Sequence, residues 1–249
     1  MCTFLFSPSG ALAVVTGGLL LASGVTLAAP SPGSPGGVSL SQTRVVFLST
    51  DKAQTLAIKN TDSRVYLIQS RVQMTPDETT AAPFVVTPPL FTLQPDNRQL
   101  LRIVAQGDEH PKDRESVFYL SVLAIPAREG KDIAPVQVSM GMRFVIKLFY
   151  RPAGLQESME TTACRLRFMP VPGGLRVENP TPYFQTLGHL TFNGTPVNMD
   201  VSASMLAPFG SVRYRVTGTS GQADWQTVTD YGGLSARCRQ TVPSTQETS

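Results

Sequence analysis

The chain has 249 residues, 41% of them hydrophobic and 16% charged, with a formal net charge of +3. That is enough apolar material to pack a core in one large domain or two ordinary ones, and the charge is too small and too evenly spread to argue for nucleic acid as a partner. Twenty Pro and twenty Gly suit many short strands joined by turns.

The stretch ALAVVTGGLLLASGVTLAA, Ala11 to Ala29, carries no charge and closes on small residues. It reads as a secretory leader over residues 1–28, with Thr26 and Ala28 beside the cleavage point, followed by a flexible lead-in over 29–37 built on PSPGSPGG. No Lys or Arg precedes Arg44, so the basic start usual in a leader is missing. The competing reading is a membrane anchor, since the run is about long enough to span. Loss of the leader removes Cys2 and leaves Cys164 and Cys238. An even pair in an exported chain suggests a disulfide, with two separate buried thiols as the alternative. Closing a loop of about 75 residues is worth roughly 4 kcal/mol on the chain-entropy model. No CxxC spacing suggests zinc.

Strand signals then follow at short intervals: TRVVFLS (43–49), QTLAIKNT (54–61), SRVYLIQSRVQM (63–74), FVVTPPLFTLQ (84–94), RQLLRIVAQ (98–106), ESVFYLSVLAIP (115–126) and VQVSMGMRFVIKLFYRP (136–152). Seven short strands with alternating pattern predict an immunoglobulin-like sandwich over 38–152. In the last of them Val136, Val138, Met140, Met142, Phe144 and Ile146 make one continuous apolar face, with Lys147 on the opposite face. At about 3.3 Å per residue this stripe is roughly twice the length of a usual strand. After YRPAGL the pattern restarts in RLRFMPV, GLRVENPTPYFQTLGHLTFNG, VSASMLAPFGSVRYRV and ADWQTVTDYGG, which predict a second β-sandwich over 153–249. The fold class is all-β.

The two histidines, His110 and His189, fall in predicted loops or strand ends, and the chain contains no GxSxG, HExxH or P-loop. Nothing predicts an enzyme, a cofactor, a metal site or a small-molecule substrate.

TRVVF, KNTDSRVYLIQS, PFVVTPPLFTLQP, LLRI, RESVFYLSVLAIP, IKLFYRP, ENPTPY and TDYGG occur in the order seen in periplasmic pilus chaperones. The chain resembles that family from about Gly37 to Cys238. The resemblance implies two immunoglobulin-like domains at an angle with a cleft between them. It implies a periplasmic protein that binds pilin subunits and hands them to an outer-membrane usher. Val138, Met140 and Met142 would then be lent to the open groove of a pilin, whose sandwich lacks a strand. Three such side chains are worth about 5–8 kcal/mol before ordering costs, at roughly 1.5–3 each. Arg44 and Lys147 would hold the pilin's C-terminal carboxylate, a fork and a point charge together. Glu115, Arg151 and Asp230 match an interdomain ion network, and TPP at 87–89 matches a cis-proline site. Arg71 departs from the family pattern, standing where Trp is common, and Phe144 stands where a polar residue is common. An unpaired apolar edge also invites self-association of the free protein. The rival reading is a structural pilin or adhesin of similar fold, disfavoured because a pilin should lack its final strand.

Overall fold

The computed structural model describes residues 36–107, 110–127, 140–155, 157–199 and 203–244. The expected leader, most of the lead-in and Val138 lie outside these residues. The chain forms two β-sandwiches in succession. The first contains β1 (Val38–Leu40), β2 (Arg44–Leu48), β3 (Gln54–Asn60), β4 (Tyr66–Gln73), β5 (Phe84–Thr87), β6 (Leu90–Leu93), β7 (Arg98–Ala105), β8 (Ser116–Pro126) and β9 (Met142–Arg151). One sheet has the order β1-β3-β7-β5 and the other β2-β9-β8-β4-β6.

Alternation decides which side chains meet between the sheets. Val45 and Phe47 of β2, Tyr66, Ile68 and Val72 of β4, Leu120 and Val122 of β8, and Leu148 of β9 pack against Leu56, Ile58, Phe84, Leu101 and Ile103. Phe84 sits edge-on to Phe47 at 5.6 Å and tilted against Phe118 at 5.2 Å. The stretch FVVTPPLFTLQ reads as one strand but forms two. It breaks at the cis Thr87–Pro88 bond, and β5 joins one sheet while β6 joins the other. Prolines 88 and 89 offer no N–H to continue a ladder. The chain makes a second crossing near its start. Ser41 still bonds to β3, its N–H donating to Ala57 O (2.9 Å) and its hydroxyl accepting from Ala57 N (3.0 Å). Three residues later Arg44 pairs with Lys147 in the opposite sheet, and β2 runs parallel to β9. Gly37, at the end of the expected lead-in, is tied to Thr61 by backbone and side-chain hydrogen bonds.

The second sandwich opens with a helical turn that short-range periodicity did not reveal, α1 (Met159–Thr162), capped by the Ser158 hydroxyl and continued as a 3-10 turn over Ala163–Arg165. Then come β10 (Arg167–Val171), β11 (Gly174–Glu178), β12 (Gln185–Phe192), β13 (Thr195–Pro196), β14 (Met205–Leu206), β15 (Ser211–Tyr214), β16 (Gly221–Thr227) and β17 (Cys238–Val242). Strands β10-β11-β15 face β13-β12-β16-β17, with β14 added to β12. Trp225 lies at the centre against Phe168 and donates its indole N–H to Ala163 O at 3.0 Å. Cys164 and Cys238 are joined by a disulfide with Cα atoms 5.2 Å apart. His189 is not at a strand end as the sequence suggested. It lies inside β12 beside a bulge centred on Gly188, where an added Cβ would meet Leu234 at 2.4 Å.

One buried asparagine holds the same corner in each sandwich. Asn60 donates from Nδ2 to the carbonyls of Arg64, Leu93 and Gln94, and its Oδ1 accepts from Asp62 N. Asn179 donates to the carbonyls of Tyr183, Leu206 and Ala207, and its Oδ1 accepts from Thr181 N. Asn60 ends β3 and Asn179 directly follows β11, and each closes a turn onto a neighbouring strand's exit, giving buried carbonyls a partner they would otherwise lack.

Candidate functional site: a free strand edge and a cationic junction

The even-numbered face of β9 begins in the core and runs out of it. Leu148 is 0% exposed, Ile146 and Phe144 are half-buried against the core, Met142 is 43% exposed and Met140 is 80% exposed. The ladder runs out on the same stretch. On one side β8 pairs with β9 from Met142 to Tyr150, but on the other β2 covers only Lys147 to Arg151. Among the described residues the Met142–Ile146 edge has no strand beside it. The sequence suggests a strand beginning at Val136; Val136 to Ser139 lie outside the described residues, and among those described the ladder begins at Met142, after Met140 and Gly141. Continuing it would set Met140 opposite Pro126, which has no N–H to give.

The odd-numbered face of β9 meets the second sandwich. Phe149 lies 5.8 Å from the ring of Phe184, and Lys147 Nζ reaches Thr186 Oγ1 at 3.5 Å. Arg44, directly across from Lys147, donates from Nη1 to Val228 O at 3.2 Å and lies over the Phe149 ring at 5.7 Å. Its Nε is buried and meets no acceptor among the described residues. Neither cation is in an ion pair among those residues. Burial lowers the pKa of Lys147, and the neighbouring Arg44 charge lowers it further. Burial likewise lowers that of Arg44, against the attraction of Asp230 and Glu115. Two like charges, half-removed from water with a donor unused, make a site that an anion would relieve. Arg44 also borders an open recess of ≈480 Å³ with Thr43, Leu48, Asp230 and Tyr231.

Beside them Arg151 joins both sandwiches. Its Nε donates to Glu115 Oε1 at 2.7 Å, and Nη1 and Nη2 form a two-pronged bond to Asp230 at 2.7 and 2.8 Å. Its guanidinium stacks over Tyr183 at 5.0 Å. Glu115 is buried, and burial pushes its carboxyl up despite Arg151. Burial would lower Arg151, but bonds and charges from Asp230 and Glu115 win and raise it. The segment ENPTPY and the Phe184 after it wrap Glu115. Glu115 N donates to Pro182 O at 2.9 Å, and Phe184 N donates to Glu115 Oε2 at 2.9 Å. The TDYGG turn aims Asp230 at Arg151. Gly232 has φ +85, and a Cβ there would meet Thr43 Oγ1 at 2.5 Å, so the turn can approach β2 only with glycine.

Thus Arg44 and Lys147 are brought together, as are Glu115, Arg151 and Asp230, and Met140 and Met142 lie along the open edge. Sequence reasoning assigned no role to Tyr183, Phe184, Thr186 or Gly232. Their signal was membership of ENPTPY, its continuation and TDYGG, motifs noted only for their order. Among the described residues no three His, Cys, Asp or Glu side chains gather in a way that could hold a metal, and no helix is long and apolar enough to cross a membrane.

Two family models cover this chain: the N-terminal domain of the pili and flagellar-assembly chaperone PapD over residues 37–156, and the C-terminal domain of the pili assembly chaperone PapD over 161–238. The chain belongs to this family of pilus-assembly chaperones, a family of chaperones and not of enzymes. It is similar to the probable fimbrial chaperone ElfD of Escherichia coli O157:H7, 38% identical over 200 residues covering 79% of this chain and 83% of that protein. Among solved structures it is similar to the SafB chaperone complexed with the SafA pilin of Salmonella enterica, with TM-score 0.74, 31% identity, and coverage of 82% of this chain and 96% of that one. The E. coli chaperone DraB is also similar, with TM-score 0.73, 33% identity, and coverage of 83% and 99%. The protein is a pilus chaperone, and the reading as a structural pilin or adhesin is not favoured.

Proposed function

We propose that this protein works in the periplasm by lending Met140, Met142 and the free Met142–Ile146 edge of β9 to a pilin subunit while Arg44 and Lys147 hold the subunit's C-terminal carboxylate, and that it then delivers the subunit to an outer-membrane usher. The observation that carries this reading is that one apolar face continues from the core into solvent along the segment where β9 loses its neighbour strand. A guest strand there gains backbone hydrogen bonds from the edge and apolar cover from the methionines, whose flexible side chains suit several grooves. Chaperone–pilin pairing is an established instance of such strand addition. The carboxylate grip sets which side chain meets which pocket. The disulfide fits an oxidising compartment, and residues 1–28 would serve as the export leader.

The test is co-expression with a pilin and purification of the complex. Arg44→Ala and Lys147→Ala should each cut its yield sharply while the free chaperone remains folded. Normal yield from both variants would remove the carboxylate grip from the mechanism.

A further inference from the structure

The second sandwich turns from β12 into β13 on Asn193 and Gly194, the one Asn–Gly pair in the chain. Phe192 pairs with Thr195, so these two residues are the whole loop, and both have positive φ, +51 and +75. That is the backbone of a tight hairpin, and Asn–Gly adopts it readily. The same pair is among the most labile in a protein chain. A following residue without a side chain leaves its backbone nitrogen free to approach the asparagine carboxamide. In that reaction a bond forms between Gly194 N and Asn193 Cγ, the Cγ–Nδ2 bond breaks, and ammonia departs with the proton from Gly194 N. Water then opens the cyclic imide at either carbonyl, leaving aspartate or an isoaspartate whose backbone runs through Cγ.

In this fold the carboxamide is engaged elsewhere. Nδ2 donates to Ser220 O at 3.2 Å, Oδ1 accepts from Gln222 N at 2.8 Å, and Asn193 N donates to Gln222 O at 2.8 Å. The side chain therefore spans the start of β16 and lies over Gly221. A Cβ at Gly221, whose φ is +147, would collide with Oδ1, Cγ and Nδ2 of Asn193. Only glycine there leaves the carboxamide its seat. To react, Asn193 must give up both side-chain bonds and swing Cγ onto its own turn. Neither product can take the seat again. An aspartate has no N–H for Ser220 O and sets a charged oxygen against that carbonyl. An isoaspartate lengthens the backbone of a loop whose length fixes the hairpin register. Asn193 is exposed, so water reaches the imide.

We infer that Asn193 is a latent self-modification site that the start of β16 keeps closed, and that local opening of this end of the sandwich converts it irreversibly to aspartate or isoaspartate.

The experiment incubates the folded protein at mildly alkaline pH beside a synthetic peptide spanning Leu190–Val197 and follows both by mass spectrometry of the Asn193 segment. Conversion should be at least about tenfold slower in the protein, because reaction waits for opening. Gly221→Ala, with its fold checked by circular dichroism, should bring the rate back toward that of the peptide. Asn193→Asp, which installs one product directly, should lower the urea midpoint. Equal rates in protein and peptide overturn the inference, whatever the variants do. A folded Gly221→Ala protein that converts as slowly as the original also overturns it, since the turn alone would then be the protection. If Gly221→Ala does not fold, Asn193→Asp decides, and an unchanged urea midpoint shows that the carboxamide seat holds nothing and overturns the inference.

Discussion

Arg44 and Lys147 are lateral partners in the parallel pairing of β2 with β9, two cations placed side by side at the junction of the sandwiches. Each is half-buried, and among the described residues neither has a carboxylate partner. Such a pair costs stability in the free protein and returns it when an anion arrives. Lys147→Met should therefore leave the free chaperone as stable as before, or about 1 kcal/mol more so, while pilin capture falls. Urea unfolding of the free variant, set beside complex yield, checks both halves.

The same pair gives two opposite pH trends. Lys147 releases its proton below the ordinary lysine value of 10.5. Between its lowered pKa and 10.5 the unfolded chain holds more protons than the folded one, so the free protein gains stability as pH rises. Over the same window the site loses charge and binds a terminal carboxylate less tightly. Thermal melts and peptide titrations from neutral to alkaline pH should diverge in this way, and Lys147→Met should flatten both curves.

Arg151→Ala leaves Glu115 buried beside Asp230 with no cation between them. A loss of about 3–5 kcal/mol is expected, the range for removing one member of a buried ion pair. Because Arg151 bonds to one carboxylate in each sandwich, the urea transition should also spread into two steps, followed by tryptophan fluorescence from Trp225 and by far-ultraviolet circular dichroism.

Met142→Asp should leave the free protein within about 0.5 kcal/mol of its original stability, because Met142 is 43% exposed and stands at the end of the ladder. Pilin complexes should fail to accumulate. A drop in thermal stability equal to that of a core variant such as Leu148→Asp would place Met142 in the protein's own core instead.

Asn60→Ala and Asn179→Ala each strip a buried side chain that serves three carbonyls and one N–H, and Asn179 also accepts from the Thr181 hydroxyl. A cost of about 2–3 kcal/mol in either sandwich is expected from the groups left unsatisfied. Chemical denaturation of the two variants should show losses of similar size.

Alternation made β9 readable, since a two-residue period survives whether its face is covered by the chain's own core or by a guest. It could not show where cover ends, because that depends on how far β2 reaches, a matter of another strand's register. FVVTPPLFTLQ reads as one strand, although Pro88 and Pro89 cannot continue a ladder, and the assignment of its halves to opposite sheets is a tertiary outcome. The helical turn at Met159–Thr162 is too short to display a period. Glu115, Arg151 and Asp230 were legible only through motif resemblance, being far apart in the chain. Arg143 was legible as a position on the face of Lys147; its hydrogen bonds to Ser121 of β8 and Gln73 of β4 join three strands and leave no trace in local pattern.

The crossing between Ser41 and Arg44 governs how much of β9 the protein keeps for itself. Because β2 runs parallel to β9, each residue by which the crossing moved toward the N-terminus would seat one more residue of the chain's own first segment against the ladder. Ser41, fastened to Ala57, halts that advance, and among the described residues five positions, Met142 to Ile146, are left without a strand on that side. The span offered to a visiting strand is thus metered by a hydroxyl group on the opposite sheet.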